Sequence, residues 1–372
     1  MSKVLIRNAD EGTVKKVVDE IFTTFKVDLK GKRVFIKPNL IGAYPPEKGA
    51  TTHPALIKAI VEACEVQTNK IVVGDNPMRA LGTGGIDRTA EVTGIRAAAG
   101  KYFQNIGGHA ESTDIGSQLV DRLPISKVIK EIDYFINVPK FKTHMLLGIT
   151  GCVKNLLGLV PGSVKAELHY KLQHPKALTQ LVVDLYRYRI PDLNIMDALI
   201  GMEGEGPSHG KAVKIGKIIA GTNGVEVDAV VATMMGYESP AKVKTIDVAS
   251  KLGLGEIDLS KIEIVGDFEV IPNFALPMGY IAPREAPQVL SLEETYANWH
   301  KIGTVRPELI EDKCIQCGEC EDICPAGAMS LDPYPTVAAD KCISCFCCAE
   351  GCPEGALVVP ESAHLYERFF SG

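Results

Sequence analysis

Two short cysteine-rich stretches near the end of the chain share one pattern. Residues 314–325 read CIQCGECEDICP, and residues 342–353 read CISCFCCAEGCP. Each stretch has the form C-x2-C-x2-C-x3-C-P, so the two together hold eight of the 11 cysteines of the chain. This repeated pattern decides the fold and the chemistry of the C-terminal part.

The pattern is the one found in bacterial two-cluster ferredoxins. There, three cysteines of one run bind one 4Fe–4S cluster, and the fourth cysteine binds the other cluster. The proline after each fourth cysteine starts the next segment without needing an amide partner. The spacing therefore predicts that cluster one is held by Cys314, Cys317, Cys320 and Cys352, and that cluster two is held by Cys342, Cys345, Cys348 and Cys324.

Zinc and disulfides are the rival interpretations of these cysteines. A zinc site needs four ligands and has no use for a third cysteine at the same short step. Disulfide frameworks are typical of small secreted domains, whereas this chain is large. Outside the motif region it has only two cysteines, Cys64 and Cys152. Cys347 is not required by the pattern, and we expect it to be a buried neighbour of cluster two.

Composition and charge indicate a globular protein. The chain has 372 residues, a hydrophobic fraction of 46%, a charged fraction of 23% and a formal net charge of -6. An acidic balance does not favour nucleic acid or an anionic membrane as a partner. No stretch approaches the roughly eighteen apolar residues of a membrane span, and the first residues lack an apolar signal core. We therefore expect a cytoplasmic protein with neither a nucleic-acid nor a membrane partner.

Apolar periodicity before the cysteine motif predicts alternating strands and helices. Strands are expected at 3–7, 33–36, 70–73, 134–138, 193–196, 217–220 and 262–265, and helices at 13–25, 54–66, 86–99, 127–132, 175–189, 224–235 and 242–252. A loop is expected at 201–210. This alternation predicts an α/β domain with a largely parallel sheet over residues 1–270. A connector at 271–305 and a small α+β two-cluster ferredoxin domain at 306–372 follow.

Several blocks of this large domain resemble one known family. They are Lys37-Pro38-Asn39, Thr52-His53-Pro54, residues 140–144 (KFKTH), residues 151–155 (GCVKN) and the segment from Asp197 to Pro207. As a set they resemble the domain-of-unknown-function family number 362, whose members often carry a ferredoxin tail. The resemblance implies a cluster-bearing α/β protein. It implies no particular reaction, so a site must be argued from the residues.

Basic residues follow several predicted strands. Ligands of open parallel sheets bind at the carboxyl ends of the strands, so lysines there predict a positive pocket for a phosphate or carboxylate. Surface charge is the alternative for each lysine. The predicted substrate-binding residues are Lys37, Asn39, His53, Lys140 and Lys154, and the predicted catalytic residues are His144, Lys142 and Cys152.

Two of these predictions have explicit alternatives. Cys152 has a lowered pKa if it begins a helix beside Lys154, and it is an inert core thiol otherwise. His53 and His144 serve as acid–base groups or as loop and cap hydrogen-bonding groups. Three carboxylates are candidate ligands of an additional divalent metal, and the alternative is that they belong to a solvated acidic loop. They are Asp197, Glu203 and Glu205.

The fusion of an electron carrier to an α/β domain leads to the functional hypothesis. We expect a low-potential redox enzyme. An external ferredoxin or reductase would donate electrons to the clusters, and the clusters would reduce a small anionic substrate. The first alternative is a non-catalytic electron-transfer adapter that docks a partner enzyme. The second is a non-redox enzyme with structural clusters.

Overall fold

The computed structural model describes residues 2–77, 85–172, 175–277 and 306–360. Residues 278–305, which form most of the predicted connector, lie outside this range. Residues 271–277 pack on the α/β domain, where Ile271 donates its amide to the carbonyl of Met234 at 2.8 Å. The predicted strands and helices occur in the predicted order, and further short strands lie between them.

Eleven described strands belong to the α/β domain. They are β1 (Lys3–Asn8), β2 (Val34–Pro38), β3 (Ile71–Val73), β4 (Ala110–Thr113), β5 (Leu123–Ser126), β6 (Tyr134–Val138), β7 (Lys140–His144), β8 (Gly148–Ile149), β9 (Leu193–Glu203), β10 (Lys211–Gly221) and β11 (Glu263–Gly266). Nine of them form one sheet in the order β11-β1-β10-β9-β6-β2-β3, with β7 paired to β9 and β8 to β7. Strands β4 and β5 form a separate hairpin.

The central sheet is mostly parallel, as predicted. Strands β3, β2, β6, β9 and β7 pair in parallel, and so do β1 and β11. Two strands are exceptions: β10 runs antiparallel to both β1 and β9, and β8 runs antiparallel to β7. The carboxyl ends of β2, β3 and β6 therefore meet at one edge, which is where open parallel sheets place their ligands.

Helices cover both faces of the sheet. They are α1 (Val14–Thr24), α2 (Pro54–Glu65), α3 (Gly85–Val92), α4 (Ile95–Ala99), α5 (Val128–Glu131), α6 (Cys152–Asn155), α7 (Gly162–Lys171), α8 (Pro175–Tyr188), α9 (Gly224–Met234) and α10 (Lys244–Lys251). Alternation along β2 shows the two layers: Val34 and Ile36 pack with α1 and α2, whereas Phe35 faces the opposite core. Phe35 stacks there on Phe135, with ring centroids 5.3 Å apart.

Two local features differ from the predicted elements. The segment after β6 has no predicted strand, and residues 140–144 form β7, which pairs with β9. The predicted loop at 201–210 is shorter, because β9 continues to Glu203 and β10 begins at Lys211. The four glycines of residues 201–210 are what predicts an irregular segment there. Gly201 has a structural reason instead, because an added Cβ would lie 2.9 Å from the carbonyl of Phe141.

The ferredoxin domain has short elements around its cysteines. They are β12 (Glu308–Leu309), α11 (Glu319–Asp322), β13 (Met329–Leu331), β14 (Pro335–Val337), α12 (Cys347–Gly351) and β15 (Leu357–Val358). Strand β12 pairs with β15 and β13 with β14, both antiparallel. Among the helices of the described ranges, none combines the length and apolar character needed to cross a membrane.

The ferredoxin domain is docked on the segment after β7. Met145 and Leu147 share a hydrophobic cluster with Phe346 and Leu357. The adjoining loop of the α/β domain adds hydrogen bonds to the main chain of α12: the Ser208 hydroxyl donates to the carbonyl of residue 350 at 3.2 Å. This packing brings the cysteine-bearing helix α12 to the carboxyl edge of the sheet.

Candidate functional site

The eight motif cysteines line two separate cavities of the ferredoxin domain. The first is lined by Cys314, Cys317, Cys320 and Cys352, and the second by Cys324, Cys342, Cys345 and Cys348. These are the two ligand sets that the sequence pattern predicts, including the exchange of the fourth cysteine between runs. Four thiol donors around each cavity fit a 4Fe–4S cluster.

The two runs also share their backbone conformation. Gln316 and Ser344, at equivalent positions, both have φ of 55°, and the next equivalent pair, Gly318 and Phe346, has φ of 79° and 56°. Residues with positive φ turn the loop sharply and allow successive amides to face an anionic group. Amides also reach sulfur directly, because Ala328 donates to Sγ of Cys324 at 3.2 Å. The equivalent bond runs to Sγ of Cys352.

Cys347 is fully buried and does not line either cluster cavity. The neighbouring Cys347 side chain is the main cause that lowers the pKa of Cys345. A ligand cysteine must be a thiolate, so a lowered pKa favours cluster binding. Cys347 is therefore a buried neighbour of cluster two, as expected, and it contacts a ligand.

A third cavity of about 80 Å³ lies where the carboxyl edge of the sheet meets the ferredoxin domain. It is large enough for several water molecules or a small anion. Four predicted site residues line it, namely Asn39, Lys142, His144 and Lys154. The sequence did not indicate three further lining residues: Lys165, Thr150 and, from the ferredoxin domain, Glu350.

Three lysines give this cavity its positive charge. Lys142 is fully buried, and burial lowers its pKa well below the ordinary value, with Lys154 and Lys140 lowering it further. Burial likewise lowers the pKa of Lys154, and that of Lys165 to about 7. Glu350 opposes the shift for Lys142 and Lys154. An anion in the cavity would raise the pKa of these lysines, because a nearby negative charge favours their protonated forms.

On the α/β-domain side of the cavity lining, two polar atoms lack a hydrogen-bond partner among the described residues. They are Oδ1 of Asn39 and Oγ1 of Thr150, in side chains that are 8% and 2% exposed. The amide nitrogen of Asn39 is used, because it donates to Asn155 at 3.0 Å. Buried polar atoms are almost always hydrogen-bonded. The two orphan atoms therefore mark a wall where water or a ligand is expected.

His144 joins this wall to the ferredoxin domain. Its Nδ1 accepts from the amides of Leu146 and Leu147 at 3.2 and 3.3 Å, and its Nε2 lies 3.3 Å from Oε1 of Glu350. Two donors directed at Nδ1 leave the imidazole proton on Nε2. We assign this tautomer from the hydrogen-bond network. His144 thus carries its proton on the nitrogen that lies beside the Glu350 carboxylate.

The other two lysines that the sequence predicts as substrate-binding residues, Lys37 and Lys140, form buried ion pairs behind the cavity. Nζ of Lys37 is 2.7 Å from Oδ1 of Asp75, and Nζ of Lys140 is 2.6 Å from Oδ2 of Asp197. All four side chains are buried, and neither lysine lines the cavity. Gly158 makes room for the first pair, because an added Cβ would lie 1.9 Å from the Asp75 carboxylate. These lysines form the frame of the cavity, which differs from the predicted binding role.

His53 also has a structural position. Its backbone amide donates to Asp197 at 2.6 Å, and its Nδ1 accepts from the amide of Ala55 in the first turn of α2. Pro54 fills the next position, where no amide is needed. The side chain caps the helix and is absent from the cavity lining. The cap alternative for this histidine is the one that the geometry favours.

Cys152 begins helix α6, but its surroundings oppose the predicted nucleophile. The thiol is fully buried in the hydrophobic core, and burial together with Asp228 raises its pKa well above the ordinary value. The Asp228 carboxylate accepts from the amides of Cys152 and Val153 at 2.6 and 3.0 Å. The helix start is thereby satisfied by a carboxylate, and the expectation of a lowered pKa for Cys152 is wrong.

The predicted divalent-metal carboxylates do not come together. Both oxygens of Asp197 accept hydrogen bonds, from Leu199 and from Lys140 and His53. Glu203 accepts from the amide of Ala275 at 3.0 Å. Within the described ranges, no three His, Cys, Asp or Glu side chains converge on a point that could hold one metal ion. The geometry gives no support to a divalent cation at these carboxylates.

The cluster ligands and the mostly parallel sheet define an iron–sulfur protein of the α/β class. The chain belongs to the family described as domain of unknown function DUF362, whose model matches residues 34–233. A model of the 4Fe–4S dicluster domain matches residues 301–356.

Two known proteins are similar to this chain. The thylakoid-associated protein sll1697 of Synechocystis sp. is 28% identical over 262 residues, which cover 68% of this chain and 80% of that protein. The lactate racemase apoprotein of Thermoanaerobacterium thermosaccharolyticum matches at a TM-score of 0.38 and 14% identity, over 68% of this chain and 57% of that one. A structural likeness at this level says nothing about activity.

Proposed function

We propose that this protein is a low-potential redox enzyme that transfers electrons from two 4Fe–4S clusters to a small anion bound in the cavity. One observation carries the proposal: Glu350 lines the cavity and lies between Cys348 and Cys352, which are ligands of cluster two and cluster one. The ligand-bearing helix α12 therefore forms part of the wall of a lysine-rich cavity.

The residues of the cavity have distinct tasks in this proposal. Lys142, Lys154 and Lys165 bind the anion, whose negative charge favours their protonated forms against the lowering effect of burial on their pKa. His144 lines the cavity, and its Nε2 proton can form a hydrogen bond to a bound anion. When bound, the two clusters supply electrons one at a time.

The exposure of the cysteines suggests a direction for electron flow. Cys317 is exposed, and the neighbouring Ile315 is 61% exposed, so cluster one has the more open cavity. Cluster two is surrounded by the buried Phe346 and Cys348, next to the cavity wall. An external ferredoxin or reductase would accordingly donate electrons to cluster one, and cluster two would pass them to the substrate.

Single-turnover oxidation tests this proposal. The protein is reconstituted and reduced without oxygen, and is then mixed with a panel of small carboxylates and phosphates while visible absorbance follows reoxidation. We expect one class of anion to reoxidise the wild-type protein at a saturable rate. The variant Lys142→Met should be slower by at least tenfold, whereas Lys211→Met, whose side chain is 82% exposed, should match wild type.

A non-catalytic adapter is the alternative that the exposed Ile315 favours, because an apolar side chain beside a cluster suits a protein partner. Equal reoxidation of wild type and Lys142→Met, or no reoxidation by any anion, would contradict the enzyme and favour the adapter. Clusters that cannot be reduced by a low-potential donor would favour a structural role.

A further inference from the structure

A chain of buried asparagines fixes the orientation of the Asn39 amide in the cavity wall. Nδ2 of Asn137 donates to the carbonyl oxygen of Cys152 at 3.1 Å, and a carbonyl can only accept. The oxygen of Asn137 is therefore free to accept from Nδ2 of Asn155, which lies 2.8 Å away. The network thus assigns which end of each amide is nitrogen and which is oxygen.

Lys37 fixes the same orientation independently. Its ammonium group is paired with Asp75 and can only donate, and its Nζ lies 3.3 Å from Oδ1 of Asn155. The same oxygen of Asn155 accepts from Nδ2 of Asn39 at 3.0 Å. The amide nitrogen of Asn39 is therefore used within the protein, and its oxygen is the atom that remains for a ligand.

The amide oxygen of Asn39 lacks a donor. Within the described ranges no group donates to this Oδ1, although the residue is only 8% exposed. A buried acceptor without a donor is costly, so its partner is expected to come from the cavity. Asn39 lines that cavity together with Lys142, Lys154 and Lys165. A ligand there meets cations that favour a negative charge and an acceptor that requires a donor.

The size of the cavity places both demands on one small molecule, because its volume is about 80 Å³. An anion without a donor would bring an oxygen lone pair against Oδ1 of Asn39 and leave that acceptor unpaired. An anion with an O–H or N–H group would pair it. Sites built around a buried hydrogen-bonding group discriminate strongly against analogues that lack the complementary group.

We infer that Asn39 is a specificity-determining residue, which makes the cavity select small anions that carry their own hydrogen-bond donor, such as hydrogen phosphate or a hydroxylated carboxylate. The inference rests on the proposed anion site and narrows its substrate class. It concerns the donor on the ligand, whatever the charge of the anion.

Two pairs of anions separate the donor from charge and shape. At about pH 8, hydrogen phosphate and sulfate are dianions of similar size, and only phosphate has an O–H group. Glycolate and acetate are monoanions, and only glycolate has a hydroxyl group. Dissociation constants are measured by calorimetry on cluster-loaded, oxidised protein. Iron content and circular dichroism equal to those of wild type verify that each variant is folded.

Three variants are compared with wild type. Asn39→Leu removes the acceptor with little change in volume, and Asn39→Asp keeps an oxygen at the same place. Thr150→Val is the matched control on the same wall, because the Thr150 hydroxyl also lacks a partner in the described part of the chain but can donate to an oxygen of any anion.

We expect wild type to bind the donor-bearing anion of a pair at least about tenfold more tightly than the other member. Asn39→Leu should bring this ratio to within about twofold, because the acceptor is gone. Asn39→Asp should keep the preference, whatever its effect on the absolute affinities. Thr150→Val should weaken both members of a pair alike and leave the ratio unchanged.

Each contrary result identifies what has failed. Equal binding within both pairs in wild type would overturn the inference and indicate that water pairs with Oδ1 of Asn39. An unchanged preference in Asn39→Leu would also overturn it and assign the acceptor to another lining residue, such as Glu350. In both cases the anion site would stand. If none of the four anions binds, or if Lys142→Met leaves their binding unchanged, the proposed anion site itself fails.

Discussion

The buried pair of Lys37 and Asp75 gives the most demanding test of the cavity frame. The Asp75 carboxylate accepts from Nζ of Lys37 at 2.7 Å and from the amides of Leu40 and Asn76 at 2.7 and 2.9 Å. Asp75→Asn removes the charge and turns one acceptor into a donor that faces existing donors. It leaves Lys37 buried without its counter-charge.

The expected loss of stability follows from these contacts. Removing one partner of a buried ion pair costs about 3–5 kcal/mol. Lys37 can lose its proton, because burial already lowers its pKa, and this limits the cost to about 3 kcal/mol. In the double variant, Lys37→Met removes the second charge as well. Its loss in free energy of unfolding should therefore be smaller than the sum of the two single losses by about 2 kcal/mol.

Urea unfolding of cluster-loaded protein, followed by far-ultraviolet circular dichroism, measures these effects from the transition midpoints at constant slope. The four proteins of the cycle are compared at pH 7. A loss below about 1 kcal/mol for Asp75→Asn would refute the reasoning. Strict additivity of the two single changes would refute it equally, because it would show that the pair is not energetically coupled.

Three further predictions concern a lysine, a glycine and a cysteine. Sulfate affinity should fall as the pH rises through about 7, since the lowered pKa of Lys165 places its proton loss there, and Lys165→Met should remove that step in calorimetric titrations. Gly151→Ala should lower stability by about 2–4 kcal/mol, because the new Cβ would lie 2.2 Å from Asp228, whereas Gly108→Ala, with open space, should be nearly neutral in thermal unfolding. Cys347→Ala should retain the full iron content in chemical analysis, because Cys347 lines neither cluster cavity. Substitution of a ligand cysteine should lower the iron content.

The ferredoxin domain could be predicted in detail because its information is local. Ligands two and three residues apart leave little freedom of assignment, and the cross-over of Cys324 and Cys352 follows from the repeat. The alternation of strands and helices could also be predicted, because apolar periodicity is a pattern among residues that are close in sequence. The antiparallel β10 was not predicted, because strand direction within a sheet depends on pairing across distant segments.

The cavity could be predicted only in part. Lys142 and Lys154 belong to blocks near strand ends, which gave a physical reason to combine them. Lys140 was assigned with them, but its carboxylate partner Asp197 lies 57 residues away, and only the fold brings the two together. A buried ion pair and a ligand-binding lysine look alike in a sequence.

Lys165 and Glu350 escaped prediction for two different reasons. Lys165 lies on α7, which has no apolar stripe to fix the buried side of the helix. The signal that could have drawn attention to Glu350 is its position in the cysteine motif, between two cluster ligands. Its role depends on how the ferredoxin domain docks, which no local pattern encodes.

The most direct test of the account is an anaerobic redox titration of the clusters with and without a saturating small anion that binds in the cavity and is not itself reduced. Reduction adds negative charge near the cavity wall, so bound anion should stabilise the oxidised form and lower the potential. A tenfold difference in affinity between the two states corresponds to about 59 mV for one electron. We predict a shift of this order for one cluster in wild type and none in Lys142→Met. Unchanged potentials in wild type, with the anion shown to be bound, would contradict the claim that the cavity and the clusters act together.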